Sequence, residues 1–562
     1  MSPGSVNEKR DMKKLSVALF FAALLATPLL AAIQEPIKVE GGLVSGTPGW
    51  AWGVRQYLGI PFAAPPVGNR RWRPPQPVIP WQGVRAADQF SPACMQGGPG
   101  WTAEQIFDPG LRHRSEDCLY LNVWTPAASA SERLPVLVWI YAGAGIMGST
   151  ARPLYDGNAL AKKGVVVVSA NYRLGVFGWF AHPELTKESE HRSSGNYGAL
   201  DQLAALQWVQ RNIAQFGGDP SKVTMFGQSA GCGAVNSLAA SPLAKGLVRG
   251  GIGQSCGSFL GRMTTLAEAE NIGAQFAKAI GKPTLAALRA MPAQDLLEAS
   301  IGTSASSSDL NASQAPLTLT VPSIKTPAAA RGAIVDGWFL PQDIYTIYSQ
   351  GKQNDISLIT GGTNDEGPQG EALGSGGATP PKTLAAYTAW VKQVFGARAD
   401  ALLRLYPAKT DAEAARACHD VRRDIVFAAH RAWAQATTGK SPAYLYRFSH
   451  IPPHPEGNGN NPPAPVGALH SSDVLYVFNN LRMKDYPWSD IDRKIADMLS
   501  SYWTNFAKSS NPNGPELPSW PAYNPKDEYL MNFGDTFRLE RFNSAGVDLI
   551  AAAEEDLRRA HR

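Results

Sequence analysis

No C-x-x-C spacing occurs in this chain, and its nine histidines are scattered rather than grouped, a pattern that argues against a zinc site. Charge is sparse as well. Only 18% of residues are Asp, Glu, Lys or Arg, and the net charge of +5 is dispersed with no basic stripe, so nucleic-acid binding has no footprint. Over 562 residues there is no Pro/Ser-rich linker, charge block or internal repeat. Length alone would allow roughly three or four domains, but nothing separates them. A composition that is 44% hydrophobic can fill a large core, which excludes disorder. One large α/β domain with insertions, spanning 33–562, is expected.

A long apolar run stands out at the N-terminus. Lys9, Arg10, Lys13 and Lys14 precede Leu15 to Leu25, followed by Thr27, Pro28 and Ala31-Ala32. This reads as a secretory signal peptide over 1–32, with cleavage after Ala32 and either Met1 or Met12 as the start. The competing reading is a membrane anchor, because Leu15 to Ile33 is nearly long enough to span; Pro28 and the small residues favour cleavage, hence no stable membrane insertion afterwards and a periplasmic or secreted protein. Export makes the five cysteines readable as disulfides. Cys94 and Cys118 form the first expected pair, around a loop rich in Gly, Pro and charge that carries Trp101, Phe107 and Arg112 to Arg114. Cys232 and Cys256 form a weaker second pair, and the odd count leaves Cys418 free.

Val136 to Tyr141 and Val165 to Ala170 are continuous apolar runs bounded by Pro and Gly, as strands buried on both faces of a parallel sheet require. Leu203, Leu206, Val209 and Ile213 recur at helical spacing until Gly217-Gly218-Asp219-Pro220 stops the helix. Further on, Ile356 to Thr360 reads as a strand, and Trp433 and Ile491 to Phe506 as helical. After the strand-like Val223, Thr224 and Met225 comes Phe226-Gly227-Gln228-Ser229-Ala230-Gly231, then a small-residue helix. The order is βαβ, and G-x-S-x-G between strand and helix is a nucleophile elbow that exposes Ser229 above the sheet.

Several stretches resemble the type B carboxylesterase family, which includes the cholinesterases. They are Gly59 to Pro66, Arg70 to Pro77, Ser115 to Val123, Asn171 to Gly178, Gly195 to Gln202, Phe216 to Pro220 and Trp503 to Pro512. The resemblance covers essentially the whole chain after residue 32. It implies the α/β-hydrolase fold, a large mostly parallel central sheet flanked by helices, with no metal and no organic cofactor. It also implies a serine esterase acting through an acyl-enzyme on a small-molecule ester.

An activated serine needs a base, and the base an acid that fixes its tautomer. The fold's order is Ser, acid, His. His470, in Gly-Ala-Leu-His-Ser-Ser-Asp, matches the family's histidine loop, whereas His450 and His454 lack those flanks. Gly361 to Gly367 matches the acid loop and selects Glu366; Asp365 is the physical alternative, since adjacent side chains point apart. Ser255 matches a serine that supports the acid in the family, and is equally readable as a plain buried hydroxyl. Backbone N–H groups of Gly143, Ala144 and Ala230 are the expected oxyanion donors. Two departures bear on substrate. The oxyanion loop has Ala at two usual Gly positions and Gly145 where an aromatic residue is common, which widens the approach to Ser229. Gln228 stands where many relatives carry Glu, removing a bias toward cations, so choline esters are disfavoured. With Arg112, His113, Arg114 and Arg152 nearby, a bulky or anionic natural or xenobiotic ester is expected, of the fumonisin type that releases tricarballylate, in a detoxifying role. A catalytically silent adhesion or scaffold homologue, or a lipase or amidase with the same triad, stay open as alternatives. Oligomeric state is not legible.

Overall fold

The structure, a computed structural model, describes residues 33–97, 111–257, 259–302, 328–330, 332–366, 381, 383–453, 467–542 and 545–560. The expected signal peptide, Trp101, Phe107 and His454 lie outside them.

Eleven strands form one sheet, and its middle is made of the apolar runs. In chain order they are β1 Thr47–Pro48, β2 Arg55–Pro61, β3 Tyr120–Thr125, β4 Leu134–Ile140, β5 Val166–Ala170, β6 Gly218–Gln228, β7 Gly250–Gln254, β8 Ser357–Thr363, β9 Ala443–Phe448, β10 Tyr529–Phe533 and β11 Phe537–Arg541. Across the sheet the order is β11-β10-β9-β8-β7-β6-β4-β5-β3-β2-β1. From β10 to β5 neighbouring strands run parallel. Both margins are antiparallel, with β11 against β10 on one side and β5-β3-β2-β1 on the other.

Four helices matter for the site: α1 Tyr197–Asn212, α2 Ala230–Ala240, α3 Asp411–Thr438 and α4 Asp490–Ser509. Helix α2 continues directly from β6 across Ser229. Helix α3 lies against β8 and β9 and starts at a capping box in which Thr410 and Glu413 satisfy each other's backbone donors. The helix expected from Leu203 to Ile213 becomes α1 plus a closing 3-10 turn at Ile213–Phe216, ended by Gly217 at φ 75°.

The stretches that carry the resemblance meet in space. Arg71 forks onto Glu116 with two 2.7 Å contacts, joining two of them in the interior. Arg173 forks onto Asp201 at 2.7 and 2.8 Å with both side chains buried, joining two more. Removing one partner of such a buried pair leaves an uncompensated charge, which explains why both members of each occur together.

Cys94 is bonded to Cys118, and Cys232 to Cys256; Cys418 is a buried free thiol. The first bond closes a loop of sequence separation 24 next to the short parallel ribbon of Ala93–Cys94 and Arg114–Ser115. Peptide mapping without reduction is expected to recover these two segments linked. Replacing both cysteines with serine should lower stability by about 3 kcal/mol through the freed unfolded chain. Two free thiols there would overturn the assignment.

Candidate active site

The candidate residues gather at the carboxyl ends of the parallel strands, where α/β sheets hold their ligands. Tyr141 to Gly145 follows β4, Ser229 follows β6, Ser255 follows β7 and Glu366 follows β8. His470 lies on the chain after β9.

Ser229 adopts φ 56°, ψ −118°, a conformation that costs a non-glycine residue about 1–3 kcal/mol. The surroundings hold it there. Its N–H donates to the Gln254 carbonyl at 2.8 Å, and its own carbonyl accepts from Gly233 at 3.0 Å in the first turn of α2. The elbow glycines serve close approach rather than unusual dihedrals. A Cβ on Gly231 would come within 2.0 Å of the Ile140 carbonyl oxygen, and one on Gly227 within 2.5 Å of the Gly231 backbone.

Glu366 and His470 are brought together, Oε2 to Nδ1, at 2.5 Å. The carboxylate is 2% exposed and the imidazole 19%, so the acid is sealed while the ring remains reachable. Burial pushes the Glu366 carboxyl up, but the charge and hydrogen bond of His470 and the Thr363 N–H at 3.0 Å outweigh it and hold the group below its ordinary value. The Ser255 hydroxyl sits beside this carboxylate and favours its charged form, although the two do not reach hydrogen-bonding geometry. Burial pulls His470 down, but Glu366, with a smaller contribution from Asp473, lifts it above its usual value. Asp365 faces away. Its Oδ2 accepts from the Ala468 N–H at 2.6 Å and its Oδ1 meets Nε2 of His419 at 3.0 Å.

No hydrogen bond joins Ser229 to His470 among the described residues. Nε2 of the imidazole instead meets Nε2 of Gln228 at 3.1 Å. In the neutral ring with Nδ1–H donated to Glu366, Nε2 accepts and the Gln228 amide donates. This contact was not foreseen, and it changes the reading of Gln228, which is completely buried rather than facing the approach. The cause is strand register. Gln228 on β6 pairs with Gln254 on β7, so both side chains share a face. Gln254 donates to Asp473 Oδ2 at 2.9 Å, and the Tyr446 hydroxyl donates to the same oxygen at 2.8 Å. Burial pushes the Asp473 carboxyl up. A polar floor thus lies under His470. The period-two alternation of β6 and β7 was the signal for it.

In the loop expected to meet the oxyanion, Gly143 takes φ 121°, and a Cβ there would lie 1.9 Å from the Met147 carbonyl oxygen. Ala144 takes φ 54° despite its Cβ, and Gly145 takes φ 71°. Hydrogen bonds pin the loop. Gly145's carbonyl accepts from Gly175 N–H and Trp179 Nε1, each at 2.8 Å, and Gln96 clamps both polar groups of Gly148 at 2.7 and 2.8 Å while reaching the Cys94 carbonyl at 2.9 Å. Among the described residues, no hydrogen bond takes up the N–H of Gly143, Ala144 or Ala230.

Arg112, His113 and Arg114 are exposed, with Arg114 donating to the Gln96 carbonyl at 2.8 Å; Arg152 lies over the Tyr155 ring. His450 is held between Asp492 at 2.8 Å and Asp535 at 2.6 Å, far from any base role here. Cys232, Cys256 and His430 come within 4.8 Å of one another, but the sulfurs are bonded together and Nε2 of His430 accepts the Cys256 N–H at 3.1 Å. Burial lowers His430 to about 4, so it is a neutral structural ring.

A mixed sheet with a parallel centre, a strand-Ser-helix elbow and a histidine loop after the penultimate parallel strand define an α/β-hydrolase. The chain belongs to the carboxylesterase family, whose sequence profile matches residues 34–547. It is 37% identical to the fumonisin B1 esterase of Sphingopyxis macrogoltabida, over 92% of this chain and 90% of that one. It is 33% identical to carboxylesterase 1D of Rattus norvegicus, over 94% and 95%. A solved structure of a PNB esterase matches with a TM-score of 0.74 at 30% identity, covering 92% of this chain and 99% of that one. The protein is a carboxylic ester hydrolase. No described helix is long and apolar enough to cross a membrane.

Proposed function

We propose that Ser229, His470 and Glu366 form the catalytic triad of an exported esterase for bulky or anionic esters, fumonisin-type polycarboxylate esters among them. The observation that carries the triad is the 2.5 Å contact between Glu366 and His470 at the strand ends beside the strained Ser229. On this reading His470 Nε2 exchanges the Gln228 amide for the Ser229 hydroxyl as substrate settles, since hydrogen bonds to a base often tighten only in the loaded complex. Ser229 Oγ attacks the ester carbonyl while Nε2 takes its proton. The N–H groups of Gly143, Ala144 and Ala230 meet the oxyanion, and Nε2 then protonates the leaving alcohol. Water repeats the sequence on the acyl-enzyme, releasing the acid and restoring the serine. Glu366 keeps Nδ1 protonated throughout and stabilises the transient imidazolium.

The substrate reading rests on Gly145 in place of an aromatic residue, on similarity to a fumonisin B1 esterase by name, and on Gln228 only as a neutral group buried beside His470, where a carboxylate would add a charge. The two disulfides and the basic-then-apolar residues 1–32 support export. A hydrolysis screen of the purified protein against neutral, cationic and polycarboxylate esters tests it. The sharper measurement is Gln228→Glu. A charge about 6 Å from a substrate carboxylate repels it by about 3 kcal/mol at an effective dielectric near 20, before salt reduces this. The variant should therefore lose kcat/KM for a polycarboxylate ester beyond whatever a neutral ester of similar size loses. The loss common to both reports the altered contact with His470. Equal losses would remove the anionic-substrate reading and leave the triad standing.

A further inference from the structure

We propose that His419 is a positioning residue for ester hydrolysis: through Asp365 it fixes the loop carrying Glu366 to the loop carrying His470. This rests on the triad reading above. Asp365 is the immediate neighbour of Glu366, and two hydrogen bonds and a β-bridge tie it to the residues just before His470. Its N–H donates to the Ala468 carbonyl at 3.0 Å, its Oδ2 accepts from the Ala468 N–H at 2.6 Å, and it forms a bridge with Leu469. The fit leaves no spare room. Gly467 takes φ 137°, and a Cβ there would come within 2.4 Å of Asp365 Oδ2.

The remaining carboxylate oxygen, Oδ1, faces Nε2 of His419 at 3.0 Å, with the Asn364 amide at 3.3 Å. His419 sits on α3, a 28-residue helix, between Cys418 and Val421, whose side chains are buried in the core. The helix is thus a fixed post to which the joined loops are attached. Because Asp365 and Glu366 are adjacent, a slip of the Asp365 carboxylate moves both members of the 2.5 Å contact at once.

Both nitrogens of His419 face carboxylates, Asp365 at 3.0 Å and Asp420 at 3.3 Å, so both must donate and the ring is an imidazolium. The hydrogen bond to Asp365, then that to Asp420, raise it to about 9 against the effect of burial. Asp420 is itself paired with Arg423 at 3.0 Å and feels Arg416, both on α3. A group raised this way contributes fully below its unfolded pKa near 6.5, and that contribution is lost as pH rises through about 9.

Three variants test the idea, with active sites counted by titration with an organophosphonate ester and Ser229→Ala assayed alongside. His419→Gln is expected to lower kcat per titrated site about tenfold near pH 8, as small misplacement of catalytic groups does. KM for a small neutral ester should stay within about twofold, since uniform binding is untouched. His419→Arg, a permanent cation, should recover most of kcat and lack the decline expected of wild type as pH passes about 9. Asp365→Asn should match His419→Gln. Wild-type kcat per site in His419→Gln, whatever its Tm, would overturn the proposal. If that variant does not fold, the same decline above pH 9 in His419→Arg as in wild type would overturn it instead. Turnover surviving in Ser229→Ala would indict the triad itself, whereas a dead Ser229→Ala beside an unaffected His419→Gln would indict only this inference.

Discussion

Ser229→Ala is expected to lower kcat by about four to six orders of magnitude, because removing the proposed nucleophile closes the covalent route while the binding groups remain. The fold should be unaffected. Alanine keeps the Cβ, so the φ 56°, ψ −118° conformation and the hydrogen bond from residue 229 to the Gln254 carbonyl persist with the same strain. The Tm should stay within a degree or two, since only a half-buried hydroxyl is lost and the Cβ stays in place. Half-burial of the residue fits a hydroxyl that must reach both substrate and base. Steady-state turnover of a chromogenic ester, with intact mass after an organophosphonate, checks both halves of the claim. Retention of more than about 1% of kcat, or phosphonylation of the variant at another residue, would exclude Ser229.

What the sequence made legible was local. The runs from Val136 and Val165 became β4 and β5 almost residue for residue, because strands buried on both faces need unbroken apolar chain and little else satisfies that pattern. The elbow was legible for the same reason: a strand, two small residues and a helix leave few alternatives for Ser229. Choosing Glu366 over Asp365 needed more than adjacency, since both are short-range equivalents and only the loop they sit on decides which faces inward. The Gln228 contact with His470 and the His419 contact with Asp365 were not legible. Each depends on residues distant in the chain, 242 positions apart in the first case. The sequence shows Gln228 as a neutral substitute for Glu but not the register with Gln254 that turns it inward. Ala144 at φ 54° is a further case. Its residue type argues against a left-handed conformation, and the surrounding loop bonds impose it at a cost of about 1–2 kcal/mol.

The two neighbouring acids should separate cleanly. Glu366→Gln is expected to cost about three to four orders of magnitude in kcat, because an amide no longer holds Nδ1 protonated or stabilises the imidazolium. Asp365→Asn should cost only about tenfold, since the backbone bonds to Ala468 remain and a carboxamide oxygen can still accept from its N–H. The pH profile adds a second readout. A protonated His470 cannot take a proton from Ser229, so kcat/KM rises as pH passes through the imidazole's pKa. In the intact site burial pulls that pKa down, but the charge and hydrogen bond of Glu366 outweigh it, which places the acid limb above 6.5. Glu366→Gln removes the larger opposing influences and leaves burial, so its residual activity should show an acid limb moved to lower pH. Asp365→Asn leaves the Glu366 carboxylate charged beside His470 and should leave the limb where it was. Equal losses in the two variants, or an acid limb that does not move when Glu366 is neutralised, would mean that Glu366 is not the group that sets the state of His470.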